Sequence, residues 1–223
     1  MTEIAIYDMD RTITRRATWT PFLIFAARRI DPWRLLLLPA VLAVSVAYLL
    51  RMIDRGRLKE VNQHLLLGHM LHPDQLAPIG EEFAERTLRD NVHAQAFALI
   101  EADRKSGRRL VLATASFAYY VVPLARRLGF DDALATGSMR GEGGVVYARI
   151  DGENCYAEGK LRLLHRWMEQ ENLSRDSFTA RFYSDSPSDM PAFEWADERI
   201  AVNPTAKLRR IAEKRGWPIY AWG

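Results

Sequence analysis

Short apolar runs alternate with longer amphipathic stretches along most of this chain. The apolar runs predict five strands, at residues 4–7, 110–113, 181–183, 200–202 and 219–222. The stretches between and after them predict helices at residues 93–106, 117–128, 160–171, 188–196 and 205–215. Strands separated by helices are typical of a parallel sheet that is covered on both faces. The pattern therefore predicts a doubly wound, Rossmann-like α/β core.

Two segments depart from this alternation. Residues 134–155 combine glycines with β-branched residues, which predicts one or two hairpins at the edge of the sheet. Residues 16–91 contain no convincing strand, and that length far exceeds an ordinary connection between a strand and a helix. We therefore expect an inserted helical cap domain at residues 16–91 and a core domain formed by residues 1–15 and 92–223.

The insertion contains an uncharged run at residues 35–50. At about 1.5 Å per residue, such a helix covers roughly 24 Å, less than a hydrocarbon core of ~30 Å. Pro39 interrupts the run, and arginines flank both of its ends. We expect a helix that does not span a membrane. It either packs against the other cap helices or lies on a membrane surface.

Charge is unevenly spread along the chain, although the net charge is only +3. Residues 15–58 hold two acids and eight arginines, at positions 15, 16, 28, 29, 34, 51, 55 and 57. This asymmetry indicates either an anionic partner of the insertion or a solvated surface. Because the excess is confined to one segment, we expect no nucleic-acid partner.

The composition is that of a globular protein, with 48% hydrophobic and 26% charged residues. Cys155 is the single cysteine, so no internal disulfide framework exists and a reducing compartment is expected. Asp8 and Asp10 interrupt any apolar run at the N-terminus, and nothing there is typical of a signal peptide. We expect a cytoplasmic protein, with peripheral contact at the inner membrane surface as one option for the cap.

Acidic and hydroxyl side chains follow three of the predicted strands, at the edge where such sheets bind ligands. The first strand is followed by Asp8, Asp10 and Thr12, the second by Thr114 and Ser116, and the third by Asp185 and Asp189. Lys160 begins a helix between the second and third groups. Converging carboxylates repel one another unless a cation neutralises them, and Mg²⁺ favours a few carboxylates, waters and a phosphate oxygen. The set suits phosphoryl transfer, which depends on positioning and charge neutralisation.

Each group also has a purely structural interpretation. Thr114 and Ser116 could cap the next helix. In "SPSD", at residues 186–189, Ser186 could be an N-cap residue with Pro187 at the first helical position and Asp189 in a capping box. The common location of all the groups at strand ends favours the functional interpretation.

The motifs "DMDRT", "LATAS", "EGK" and "YSDSPSD" resemble the four motifs of the haloacid dehalogenase (HAD) superfamily. The resemblance covers the whole chain, and it is greatest to the phosphoserine phosphatase-like branch, subfamily IB. It implies a Mg²⁺-dependent phosphatase with an inserted cap at residues 16–91. Phosphate esters of small molecules or of lipids are the implied substrates.

The resemblance also implies a role for each motif residue. Asp8 is the nucleophile that forms an aspartyl-phosphate, and Asp10 is the general acid and base. Thr114 and Lys160 complete the catalytic set. The implied metal residues are Asp8, Asp10 through its backbone carbonyl, Asp185 as a direct ligand and Asp189 as a support of the metal shell. We assign substrate contacts to Arg11, Thr12 and Ser116, with Arg11 either touching substrate or pointing outward.

Two departures from the family pattern affect the expected substrate. Arg11 stands where the superfamily usually has glycine. No glutamate occurs between Glu3 and Glu60, although phosphoserine phosphatases hold their substrate with a cap glutamate. The apolar, arginine-rich cap favours a bulky or lipid-like phosphate ester. The alternatives are phosphoserine or histidinol phosphate as substrate, a phosphotransferase, and a lipid- or protein-binding module without activity. The oligomeric state is left open.

Overall fold

The computed structural model describes residues 2–222 and contains one mixed sheet of eight strands. The strands are β1 (Thr2–Tyr7), β2 (Met70–Leu71), β3 (Arg109–Phe117), β4 (Asp132–Arg140), β5 (Val146–Asp151), β6 (Phe178–Ser184), β7 (Glu198–Val202) and β8 (Ile219–Tyr220). Their order across the sheet is β2-β5-β4-β3-β1-β6-β7-β8. All five predicted strands are confirmed within this set.

The six strands from β4 to β8 in this order are parallel to their neighbours. β5 instead runs antiparallel to β4, which confirms the predicted hairpin at residues 134–155. The short strand β2 is antiparallel to β5 and ends that side of the sheet. The sequence prediction missed β2, because two residues are too few to produce a recognisable alternation.

The described residues contain nine α-helices. They are α1 (Trp19–Ile30), α2 (Leu38–Leu49), α3 (Arg55–Leu67), α4 (Pro73–Asp90), α5 (Ala94–Lys105), α6 (Ala118–Leu128), α7 (Glu158–Gln170), α8 (Met190–Trp195) and α9 (Ala206–Arg215). The five helices predicted outside the insertion are confirmed as α5 to α9. Ser186 does act as an N-cap, accepting a hydrogen bond from the Ser188 amide at the start of a short 3₁₀ turn before α8.

The central strand β1 is buried on both faces, as an apolar run in a parallel sheet predicts. Ala5 and Tyr7 pack in one hydrophobic cluster with residues of α1, α4, α5 and α6. Ile4 and Ile6 pack in a second cluster with residues of α7, α8 and α9. Successive side chains therefore enter different cores, and the two layers hold the end of β1 in a fixed place.

Residues 16–91 contain α1 to α4 and the short strand β2. The last of these helices, α4, packs against α6 of the core. Gly80 allows this close approach, since a Cβ atom there would lie 2.2 Å from the backbone oxygen of Tyr119. The insertion is therefore joined to the core by helix packing as well as by its two chain ends.

The uncharged run forms α2, preceded by a 3₁₀ segment at Pro32–Leu37. By length and composition, the combined segment Pro32–Leu49 is long and apolar enough to cross a membrane. Only 6% of this segment is buried inside the protein, and Val41 is the single buried residue of α2. The structure packs α2 against α3 of the insertion, as one of the two expectations had it, but leaves most of the helix exposed. Contact of the exposed part with a membrane surface stays a prediction.

Candidate active site

The candidate site lies at the carboxyl end of β1, which is flanked by β3 on one side and β6 on the other. Parallel α/β sheets bind ligands at the carboxyl ends of their strands, where the chain connections of two neighbouring strands lead to opposite sides of the sheet. A cavity of about 300 Å³ opens there. Seven of the nine predicted site residues line this cavity: Asp8, Asp10, Arg11, Thr114, Lys160, Asp185 and Asp189.

Asp8 directly follows β1, and both of its carboxylate oxygens are held. Lys160 Nζ donates to Asp8 Oδ1 at 2.8 Å, and Thr12 Oγ1 donates to Asp8 Oδ2 at 3.2 Å. Thr12 Oγ1 in turn accepts from the backbone amide of Asp185 at 3.0 Å. The side chain of Asp8 is therefore fixed in orientation, as an attacking group must be.

Lys160 is 2% exposed and makes a second ion pair, from its Nζ to Asp189 Oδ2 at 2.7 Å. Its position depends on the turn before α7. A Cβ atom on Gly159 would lie 2.2 Å from the backbone oxygen of Asn154, so only glycine fits between that turn and the lysine. Ala157, the residue before α7, has a φ of 52°, in the left-handed region. The sequence "EGK" thus places a buried ammonium group between two carboxylates.

Asp10 is held by different partners, on the side of the cap. Its Oδ1 accepts from the backbone amide and the hydroxyl of Thr18, at 2.9 and 2.8 Å. Its Oδ2 accepts from Ser116 Oγ at 2.9 Å. The two aspartates of "DMD" therefore have separate environments, one paired with an ammonium group and the other with neutral donors.

The structure gives Thr12 and Ser116 another role than the predicted contact with substrate. Both side chains are buried, and neither lines the cavity. Thr12 connects Asp8 to Asp185, and Ser116 supports Asp10. They position the acids, whereas Thr114, on the same strand as Ser116, does line the cavity.

Burial and mutual repulsion shift the carboxylate pKa values. Burial raises the pKa of Asp8 to about 6, with Lys160 lowering it and Asp189 raising it. Burial, Asp8 and Asp189 raise the pKa of Asp185 to about 7, against a lowering effect of Arg11. Burial also raises the pKa of Asp10. A cation in the cavity would oppose these shifts.

The Lys160 pKa responds to opposing influences. Burial alone lowers the pKa of Lys160, but the charges of Asp189 and Asp8 outweigh it and hold the pKa above its usual value. Lys160 is therefore a permanent cation at neutral pH. It offsets part, but not all, of the negative charge of the three nearby aspartates.

The four aspartates of the predicted metal set differ in how their side chains are held. Within residues 2–222, no three side chains of histidine, cysteine, aspartate or glutamate are grouped so that they could hold a metal ion by themselves. Asp189 Oδ2 is engaged by Lys160 and by Ser184 Oγ, each at 2.7 Å. Asp8 and Asp185 stay the predicted carboxylate ligands, because the Asp185 side chain makes no hydrogen bond within residues 2–222 and Asp8 Oδ2 accepts only one, from Thr12 at 3.2 Å. Two carboxylates, a backbone carbonyl and water fit Mg²⁺, which typically keeps several waters.

Arg11 occupies the position where the superfamily usually has glycine, and its φ is 64°. This left-handed conformation is costly for a residue with a Cβ atom, which gives a physical reason for glycine there. The arginine is exposed, lines the cavity and lies close enough to lower the pKa of Asp185. Arg11 therefore lies at the cavity, and its contact with substrate stays a prediction.

Sequence reasoning missed three residues that the cap and the loop before α7 bring to the site. Arg55 and Tyr156 line the cavity, and the Arg55 guanidinium lies 4.2 Å from the centre of the Tyr156 ring. Lys59, 4% exposed, donates from Nζ to the backbone oxygen of Ala115 and to Asn154 Oδ1. The signal for Arg55 and Lys59 was the four-residue spacing on α3, which places both on one helix face.

The fold and the site together are those of an α/β enzyme that acts on phosphate esters. The chain matches the family "haloacid dehalogenase-like hydrolase" over residues 5–194. A "probable phosphatase" of Mycobacterium tuberculosis is 31% identical over 225 residues, which cover 98% of this chain and 75% of that protein. The chain belongs to the haloacid dehalogenase superfamily and is a phosphatase of that superfamily.

Two further relatives match about two thirds of this chain. A histidinol-phosphatase of Neisseria meningitidis is 24% identical over 147 residues, which are 66% of each protein. A phosphoserine phosphatase of Mycobacterium tuberculosis is 31% identical over 145 residues, which are 65% of this chain and 46% of that protein. The chain thus corresponds to only about half of the second relative.

Solved structures share the fold over the full chain. A Bordetella pertussis protein of unknown function is 28% identical and has a TM-score of 0.87, with 99% of each chain covered. A phosphoserine phosphatase with a phospho-aspartyl intermediate analogue has a TM-score of 0.63 at 16% identity, with 100% of this chain and 94% of that chain covered. The second likeness supports the fold alone.

Proposed function

We propose that this protein is a Mg²⁺-dependent phosphomonoester hydrolase that works through an aspartyl-phosphate on Asp8. The observation that carries the proposal is the pairing of Asp8 with the buried Lys160 in a cavity that Asp10 also lines. Lys160 keeps the first acid ionised, and neutral donors hold the second, which suits a nucleophile and a proton carrier respectively.

In the proposed first step, a carboxylate oxygen of Asp8 attacks phosphorus. A bond from Asp8 to phosphorus forms while the bond from phosphorus to the alcohol oxygen breaks, and Asp10 gives a proton to that oxygen. In the second step, water attacks phosphorus, gives its proton to Asp10 and releases inorganic phosphate from Asp8. Thr114 and Lys160 line the same cavity and would hold the phosphoryl oxygens.

Mg²⁺, when bound, would neutralise charge on the phosphoryl oxygens and between the carboxylates. Asp8, Asp185 and the backbone carbonyl of Asp10 are the groups that would hold it. Asp189 would act through Lys160, to which it is paired. We therefore expect Asp185→Ala to raise the Mg²⁺ concentration needed for activity much more than Asp189→Ala, whose main effect should be on stability.

We propose a bulky phosphate ester as substrate, with its organic part against Arg55 and Tyr156 at the cavity wall. Relatives named histidinol-phosphatase and phosphoserine phosphatase make those two esters the first alternatives to test. A cytoplasmic setting is proposed because the single cysteine, Cys155, is buried and unpaired. A phosphotransferase would differ only in the acceptor of the second step.

The test is phosphate release from a panel of small and lipid phosphate esters, with Mg²⁺ and with EDTA. Asp8→Asn should abolish release, because it removes the nucleophile at nearly constant volume, and uncatalysed hydrolysis can be slower by up to ~10²¹-fold. Asp176→Asn is the matched control, because this residue is exposed and precedes β6 near Thr2, at the opposite end of β1 from Asp8. More than a tenth of wild-type rate in Asp8→Asn would overturn the mechanism. Added alcohols that lower phosphate release without lowering ester consumption would indicate the phosphotransferase.

A further inference from the structure

The outward face of α2 is apolar where a soluble protein normally has polar residues. Leu38, Leu42, Val46 and Leu49 follow one another at helical spacing, and all four are exposed, Leu49 by 76%. On a surface helix of a globular protein, this face would be charged or polar. The exposed stripe therefore indicates a partner that covers it.

The segments on both sides of α2 extend this stripe. Trp33 and Leu36 precede it, and Leu50 and Met52 follow it, each more than half exposed. Of the thirteen large apolar residues that are exposed within residues 2–222, eight fall between positions 33 and 52. Such clustering marks an interaction site, whereas scattered exposed residues are ordinary. We call residues 33–52 the α2 surface.

The α2 surface is fixed to the rest of the protein from its inner side. Val41 is buried, and α2 packs against α3. Arg34 pairs with Asp31 at 3.0 Å and donates to the backbone oxygen of Leu65 at 3.1 Å. These contacts hold the segment along the protein, so it presents an apolar face to a partner without inserting as a spanning helix.

Basic side chains border the α2 surface where it meets α3. Within residues 2–222, Arg51 and Arg55 form no ion pair with a carboxylate, and Arg57 pairs only at 3.4 Å with Glu60. Residues 33–57 contain four arginines and one acid, Asp54. A partner that matches this border must be negatively charged as well as apolar.

We propose that the α2 surface docks on a bilayer that contains anionic phospholipids. The exposed leucines and Trp33 would enter the acyl boundary, and Arg51 and its neighbours would lie at the headgroups, as in interfacial helices. A second copy of this chain would present the same arginine-rich border and no matching acids. The bilayer supplies both the apolar interior and the negative charge.

Docking would also place the catalytic cavity near the bilayer. The chain runs from Leu49, at the end of α2, to Arg55, which lines the cavity, in six residues. Headgroup phosphate esters would then be within reach of the site. This consequence rests on the proposed function, whereas docking itself does not, so binding and catalysis are tested separately.

The test is co-sedimentation of the full chain with vesicles of phosphatidylglycerol and phosphatidylcholine, and with phosphatidylcholine alone. We expect binding to the anionic vesicles only, weakened by added salt. Leu42→Glu combined with Leu49→Glu should reduce the association constant for the anionic vesicles at least tenfold. Arg51→Glu should reduce it between about fivefold and twenty-fivefold, at roughly fivefold per unit of charge. Val122→Glu and Lys214→Glu, at exposed positions on α6 and α9, are the matched controls and should bind like wild type.

Trp33 supplies a second readout, because it is 57% exposed in the α2 surface. Lipids with brominated acyl chains should quench part of the tryptophan fluorescence, and Trp33→Phe should remove that part. No sedimentation at low salt would overturn the proposal. So would equal binding by wild type and the double leucine variant. A concentration-dependent dimer that the double variant abolishes, without vesicle binding, would assign the surface to a second copy instead.

Discussion

Replacement of Lys160 by methionine tests whether this lysine neutralises the site. The Lys160 ammonium pairs with Asp8 at 2.8 Å and Asp189 at 2.7 Å, and the residue is 2% exposed. Methionine fills similar space but leaves two buried carboxylates without their cation. Removal of one partner from a buried ion pair typically costs about 3–5 kcal/mol. For a chain of this size, each kcal/mol lowers Tm by roughly 2–4 °C, so a loss of about 6–20 °C is expected.

The loss of stability should depend on pH in a defined direction. Burial raises the pKa of Asp8 to about 6 even with Lys160 in place, and the variant should raise it further. A carboxyl group whose folded-state pKa is raised stabilises the fold at low pH and loses that contribution as the pH rises through the folded pKa. Below pH 6, Asp8 holds its proton in both proteins. The deficit of the variant should therefore grow from pH 5.5 to pH 8.

Urea denaturation and thermal melts in EDTA at these two pH values measure the deficit without interference from a bound cation. Lys207→Met, at an exposed position on α9, is the matched control and should change Tm little at either pH. Two results would contradict the role of Lys160 as the counter-charge of the two aspartates. One is a loss of stability in Lys160→Met no larger than in the control, and the other is an equal loss of stability at both pH values.

Three further substitutions address other parts of the site. Asp10→Asn should reduce turnover about 10²–10⁴-fold in a phosphate-release assay, because proton transfer is lost while Thr18 and the backbone still support the side chain. Gly159→Ala should cost about 1–3 kcal/mol in urea denaturation and also reduce turnover, since the new Cβ atom meets the Asn154 carbonyl next to the catalytic lysine. Arg11→Gly should raise stability by about 1 kcal/mol, as it removes left-handed strain, while the KM for substrate rises.

Each of these variants has an internal check. Unchanged turnover in Asp10→Asn would make Asp10 a structural residue. Gly137→Ala is the control for Gly159→Ala, because a Cβ atom there makes only an ordinary contact of 3.5 Å. Equal effects of the two alanines would contradict the close approach at Gly159. If Arg11→Gly left KM unchanged, Arg11 would not contact substrate.

The core of the fold was predictable because its signals are local. The apolar run of β1 is buried on both faces, and the motif residues directly follow strands, so the strands and the acids at their ends could be predicted together. Parallel sheets bring the carboxyl ends of their strands to one edge. That rule alone gathers Asp8, Thr114 and Asp185, which are far apart in sequence.

The contacts that cap residues make at the site were not predictable from the sequence, because they depend on how α1 to α4 pack on the core. Nothing local indicates that Thr18 would hold Asp10, or that Lys59 would reach the carbonyl of Ala115. The exposure of α2 was also undetermined, because a helix that is apolar on all sides fits an interior as well as a membrane surface. Thr12 and Ser116 were placed near the site, but the sequence could not distinguish contact with substrate from support of an acid.

The close packing of α4 on α6 has a consequence for chimeric proteins built from this family. An exchange of residues 16–91 would remove α4 and leave Tyr119 facing a foreign helix. That helix would need its own glycine at the crossing, where a Cβ atom comes within 2.2 Å of a carbonyl oxygen. An exchange limited to residues 16–72 would keep α4 with its native partner. The shorter exchange is therefore the one expected to give folded hybrids with altered substrate preference.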